Sequence, residues 1–222
     1  MPKKLFQKWW IKYLLPAILL SSGNLLSNFA QQGYGTSISG VVAVPIGKNS
    51  DIYNIGFGAL AGFYYDLDEK FRIELLFGYI TLGLDGEELN KKIQEANAGS
   101  SSITGSSNAI PVTISFQLLT PGPGPRFYGL IEAGIYTYWS RAEGTYFPGN
   151  GNVPIDRSEF RSEAGFSVGG GVLFPLREEL NLEIKVRYTF VQDSEYLNLG
   201  NTSLSNSQVL LFGIGLNWFF PF

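Results

Sequence analysis

Between positions 180 and 191 the side chains Leu180, Leu182, Ile184, Val186, Tyr188 and Phe190 alternate with Asn181, Glu183, Lys185, Arg187 and Thr189. A period of two is the pattern of an extended strand whose successive side chains point to opposite faces, so one face here is wholly apolar and the other wholly polar. One such strand is equally at home in a soluble sheet. What constrains the chain is repetition: period-two runs recur at 35–46, 52–65, 70–84, 109–120, 126–141, 161–174, 179–192 and 207–220.

The connections between these runs alternate in length. Segments 66–69, 120–125 and 175–178 are tight, whereas 85–108, 142–160 and 193–206 are long and polar; 47–51 lies on the long-loop side but is short. Short turns at one end and long loops at the other suit an even number of antiparallel strands with both termini on the short-turn side. Taking the apolar parity of each run, Phe63, Tyr65, Phe71, Phe127, Phe174, Trp218 and Phe220 fall at the short-turn ends. Tyr53, Tyr79, Trp139, Tyr188 and Phe190 fall toward the long-loop ends. Two belts of rings with aliphatic residues between them match a bilayer with its two interfaces. A sheet in lipid must close on itself, because hydrocarbon offers its backbone groups no partners. The expected fold is therefore all-β: an eight-stranded antiparallel up-and-down transmembrane β-barrel.

The N-terminus reads as an export signal. Lys3, Lys4, Lys8 and Lys12 precede a short apolar stretch, 14–20, and Ser27-Asn28-Phe29-Ala30 ends on a small residue. Pro16 and the polar Ser21-Ser22-Gly23-Asn24 leave that stretch well short of the ~20 apolar residues a helical span needs. The expected organisation is a secretory signal peptide over 1–30 and a barrel domain over 31–222.

Composition closes off several chemistries. The 222 residues contain no Cys and no His, so disulfides, thiolate metal sites, Cys nucleophiles, imidazole triads and most zinc sites are outside this chain's reach. A net charge of -3, with the cations scattered or in the leader, gives no reason to expect a nucleic-acid partner. No cofactor or metal is expected. Val168-Gly169-Gly170-Gly171 lacks the Lys and Ser/Thr of a phosphate loop and sits inside an alternating run, where close backbone packing explains it.

The polar parity describes the barrel interior. It carries Arg72, Glu74, Glu132, Glu163, Glu183, Lys185 and Arg187, with Ser37, Ser39, Asn54, Thr113, Ser115, Gln117, Tyr128, Tyr136, Tyr138, Asn181 and Thr189. Glycines 56, 58, 62, 213 and 215 share it and make room for the larger side chains. Arg72, Glu74, Glu132, Glu183, Lys185 and Arg187 fall at lower and middle levels, and strands three and seven face each other across an eight-stranded closure. They are expected to form a salt-bridged plug, since an unpaired buried charge costs several kcal/mol. Glu74, Glu132 and Glu183 also permit an acid–base reading, and rearranging ion pairs permits a gated pathway. No catalytic residue is assigned.

In the outer loops, 87–96 suits a short helix, the Gly/Ser-rich 99–107 suits a mobile segment, and Tyr146, Phe147 and Tyr196 are aromatic. Loops 85–108, 142–160 and 193–206 are the places for an extracellular ligand.

The leader, the eight alternating runs, the tight turns and the ending Trp218-Phe219-Phe220-Pro221-Phe222 resemble the small outer-membrane β-barrel proteins of Gram-negative bacteria, the OmpA and OmpX class. The likeness covers 33–222. The Ala30-Gln31-Gln32 junction is similar to leaders of Bacteroidota. The resemblance implies residence in the bacterial outer membrane, contact with its lipid, and a terminal assembly signal, Trp218, Phe220 and Phe222, read by the barrel-assembly machinery. Pro221 departs from the plain alternating ending. The expected role is non-enzymatic: envelope structure or surface interaction through the loops. The alternatives are a narrow channel for ions or small solutes and an envelope-modifying enzyme.

Overall fold

The computed structural model describes residues 33–47, 50–95, 99–147, 151–191, 198–199, 202–203 and 207–221; the expected leader and Phe222 lie outside them. In chain order the elements are β1 (Gly33–Ile46), β2 (Gly56–Asp66), β3 (Phe71–Gly83), α1 (Gly86–Glu95), β4 (Ser100–Leu119), β5 (Arg126–Phe147), β6 (Val153–Arg177) and β7 (Leu180–Val191). Two-residue strands β8 (Asn198–Leu199) and β9 (Thr202–Ser203) pair with each other, and β10 (Ser207–Pro221) is last. Strands β1 to β7 and β10 form one closed antiparallel barrel in which each strand pairs with its sequence neighbours and β10 returns to β1.

The closure is staggered. Following register partners from Thr36 through Phe63, Leu75, Ile114, Ala133, Phe166, Phe190 and Gln208, the ladder rejoins β1 at Ile46, ten residues above its start. Eight strands with that stagger tilt by about 40° and enclose an interior only wide enough for side chains.

The two faces are inverted relative to a water-soluble protein. Ile184 is 46% exposed, while its neighbours Glu183 and Lys185 are 2% and 5% exposed. The same holds around the wall, with Ile38, Ile114, Ile131 and Ile214 outside. Phe63, Phe71, Phe127, Trp218 and Phe220 ring the short-turn end, and Tyr79 and Trp139 stand exposed toward the other. Tyr65, Phe174, Tyr188 and Phe190 are half-buried on the same face. A belt of this kind belongs in hydrocarbon.

The tight turns are built by local chemistry. Asp68 Oδ1 accepts the N–H groups of Lys70 (2.6 Å) and Phe71 (2.8 Å). In the 120–125 turn Gly122 and Gly124 adopt φ of 115° and 100°, a region that side chains disfavour. The Arg126 guanidinium donates to the Glu69 carbonyl, tying two turns together.

Three expectations about extent are corrected. The Gly/Ser segment 99–107 is not a mobile loop; from Ser100 onward it is strand, paired with β5 from Ser100↔Phe147 to Ser107↔Ser140. The loop expected at 142–160 is mostly strand as well, with β5 reaching Phe147 and β6 starting at Val153. Above a membrane both faces of a sheet can be polar, so the apolar alternation that marks a strand fades while the backbone ladder continues. At β2 the strand begins at Gly56, and Tyr53, expected on the lipid face, is 8% exposed inside, bridged to Leu84.

Candidate functional site: the barrel lumen and the strands above it

All six residues of the expected lumen cluster point inward and are nearly inaccessible: Arg72, Glu74, Glu132, Glu183, Lys185 and Arg187 are each 5% exposed or less. Their pairing differs from the expected meeting of strands three and seven across the axis. Arg72 forms a bidentate pair with Asp66 across the β2–β3 turn, Nε to Oδ1 at 2.6 Å and Nη2 to Oδ2 at 3.0 Å, with its guanidinium carbon 3.7 Å from the centre of the Tyr64 ring. Lys185 Nζ lies 2.8 Å from Glu183 on its own strand, and Glu183 also accepts from Tyr128 Oη at 2.5 Å. Arg187 Nη1 reaches over β6 to Glu132 Oε2 at 2.5 Å.

Asp66 is the member that sequence reasoning missed. Its place at the start of the turn 66–69 hides it, although its even position sets it on the inward row with Gly62 and Tyr64. Its capture of Arg72 leaves Glu74 with no ion-pair partner among the described residues. Glu74 is held by neutral donors, Ser37 Oγ at 2.5 Å and Gln117 Nε2 at 2.7 Å. Hydroxyls complete the lattice: Ser167 bonds Thr189 (3.0 Å) and donates to Glu132 (3.3 Å), which Tyr136 Oη also reaches (3.2 Å). The β6 glycines make this possible. A Cβ on Gly171 would sit 2.7 Å from Tyr128 Oη, and one on Gly165 2.5 Å from the Tyr136 ring.

Above this lattice the interior turns apolar. Val41, Leu60, Ile80, Tyr138, Val191 and Leu211 form one buried cluster that continues upward into Ile52, Tyr53, Ile103 and Leu89. Leu89 belongs to α1, so the helix supplies the lid of this cluster. Asp85 fixes the helix, its Oδ1 accepting the N–H groups of Glu87 and Glu88, both at 3.1 Å. The Asp85 N–H donates to Ile52 O (2.6 Å), and Asn90 Oδ1 accepts from the Ser101 N–H (2.6 Å). Glu163 lies higher, half-buried on the inward row, and Asn54, expected inside, is exposed because β2 has not yet begun.

Among the described residues three strands continue beyond the rim. Pairing of β3 with β4 ends, among the described residues, at Gly83↔Ser106, and pairing of β6 with β7 extends up to Gly165↔Val191. Residues 100–105 of β4, the upper part of β5 and 153–164 of β6 therefore stand above the barrel as a three-stranded sheet. At the opposite end, Trp218 and Phe220 face outward, Phe220 packing 5.5 Å from Tyr34 between ring centres.

No family model matches the chain, and no curated protein sequence matches it. Solved structures do. A major outer membrane protein from Thermus thermophilus superposes with a TM-score of 0.51 at 13% identity, over 84% of this chain and 99% of that one. Ail, the attachment invasion locus protein of Yersinia pestis, superposes with a TM-score of 0.50 at 16% identity, over 86% of this chain and 99% of that one. The fold is that of the small outer-membrane β-barrels. At these identities the likeness is one of architecture, and the reading of function rests on this chain's own lumen and raised sheet.

Proposed function

We propose that the protein is a non-enzymatic barrel of the bacterial outer membrane that presents its raised β4–β5–β6 sheet at the cell surface, for envelope structure or for contact with an extracellular partner. The observation that carries this reading is the two-storey closure of the lumen, ion pairs below and an apolar cluster above, directly beneath a sheet that extends into solvent. A sealed barrel is a support. Carboxylates that could serve as acid and base, Glu74, Glu132 and Glu183, are at most 3% exposed and already bound by hydroxyl, amide or cationic donors, so a substrate has no route to them.

Membrane insertion is read as the work of the barrel-assembly machinery acting on the terminal strand with Trp218, Phe220 and Phe222. The lumen reading is tested by single-channel recording in planar bilayers: the folded chain should give no reproducible conductance steps. Steps that vanish on Glu74→Gln would instead support the narrow-channel reading. Replacing Lys185 and Arg187 together by Ala should still leave the barrel silent, because the apolar storey excludes water on its own.

A further inference from the structure

On the outer face of β5 and β6, above the lipid-facing belt, stand two of the most exposed rings among the described residues: Phe160 is 73% exposed and Trp139 58%. They are register partners, so their side chains emerge side by side on one face of the sheet. Trp139 lies four residues beyond Ile135, a belt residue of the same outward row. At the rise and tilt of this barrel Trp139 stands about 10 Å above Ile135 and about 29 Å above Phe127 of the lower ring belt, which is the upper interface of an apolar band about 25 Å tall.

On β5 and β6 the step between is polar, with Ile110 of β4 exposed beside it. Thr137 and Ser162, the intervening register pair, share a hydrogen bond of 3.0 Å. The rings therefore do not extend the hydrocarbon belt; they stand at the height of lipid headgroups. Around them on the same face are groups that bond hydroxyls and phosphates. Asn108 accepts from Tyr79 Oη at 2.6 Å and donates to the Trp139 carbonyl at 3.2 Å. Arg141, 60% exposed, extends from the next outward position and is paired, among the described residues, with Glu143, itself 51% exposed. Ser158 faces Arg141 across the ladder. A flat aromatic pair edged by hydroxyls, an amide and a guanidinium suits the apolar face and hydroxyl rim of a sugar ring.

We propose that Trp139 and Phe160 form a stacking platform for the sugar headgroup of an outer-leaflet glycolipid, with Arg141 and Asn108 beside it for phosphate or hydroxyl groups. The occupant is fixed by position: the platform stands on the same outward rows as the lipid-facing belt, one polar step above it, so the first molecule it meets is a neighbour in the same leaflet. The inference rests on the outer-membrane reading above.

The test uses the full chain with Trp9, Trp10 and Trp218 replaced by Phe, which leaves Trp139 as the last of the four tryptophans. It is refolded into phosphatidylcholine vesicles with and without a rough-type lipopolysaccharide, and acrylamide quenching of Trp139 is measured. Lipopolysaccharide should lower quenching by about threefold or more, and Phe160→Ala should restore most of it while Phe160→Tyr does not, as expected for an aromatic contact. Phe63→Ala, a ring at the opposite edge of the belt, should leave the protection intact. Equal quenching in both vesicle types overturns the proposal, as does equal protection by the free core oligosaccharide, which would assign the platform to soluble glycans. Folding is read separately from the heat-modifiable gel band: a chain that never inserts fails the outer-membrane reading, whereas one that inserts without protecting Trp139 fails only this inference.

Discussion

Below Thr189 the barrel interior is a lattice of ion pairs and hydroxyls resting on a small apolar cluster of Leu119, Leu130 and Leu173 beside Tyr128, whereas above it the same inward rows turn to Leu60, Ile80, Val191 and Tyr138. The strands, their tilt and the width of the interior do not change between the two storeys; only the side chains do. The ion pairs of the lower storey hold by matching donors to acceptors, so each charged group there depends on a particular partner. The upper holds by volume, so its members depend on filling space and tolerate exchange among apolar residues of similar size.

That contrast is broken most severely by Arg187→Leu. It strands Glu132 at 2% exposure with its cation gone, and should destabilise the folded barrel by about 3–5 kcal/mol in urea titrations. Pairing it with Glu132→Leu should recover most of that loss. In the upper storey Leu60→Ala should lower stability by about 2–5 kcal/mol through the cavity it leaves, while Leu60→Met should change it by less than about 1.5 kcal/mol. A rescue by the partner substitution below, and by the isosteric one above, is the outcome that separates the two modes of closure.

The smaller effects sharpen the comparison at its margins. Asp85→Ala removes the cap of the helix that roofs the apolar cluster and should cost about 1 kcal/mol; it should be visible as faster proteolysis within 86–99 while the barrel band on a gel stays intact. Glu74→Gln should cost least, about 1 kcal/mol or less by the same urea titration, since an amide can bond both Ser37 and Gln117 and no cation is left behind. A loss comparable to that of Arg187→Leu would mean that Glu74 has an ionic role that its neutral partners do not reveal.

Legibility in the sequence followed the solvent. Within the bilayer the alternation is forced on both faces, which is why the eight strands and the inward placement of Glu183, Lys185 and Arg187 could be read from spacing. Above the rim water is on both sides, so Ser100 to Ser107 and Arg141 to Phe147 look like loops although their backbones are laddered. Ion-pair partners were the harder problem. Parity says which side chains share the lumen, but Asp66 lies at the boundary between strand and turn, and assigning it to the turn redirected Arg72 and Glu74 to the wrong neighbours. The upper storey was under-read for a different reason: Leu60 and Ile80 are apolar on both sides of the wall, so hydropathy alone cannot tell lumen from lipid. The short helix was signalled by Asp85 and the acidic first turn that follows it.

The ten-residue stagger limits how such a molecule can change length. Because each strand is keyed to two neighbours and successive side chains point to opposite faces, one residue gained or lost inside the wall would turn the rest of that strand inside out, sending Glu183 or Arg187 into lipid. Above the rim no such penalty operates. The β5–β6 hairpin can lengthen by matched pairs of residues, and β4 at its Ser100 end, without disturbing anything beneath, so surface height and surface character can diversify while the membrane-embedded ring stays frozen.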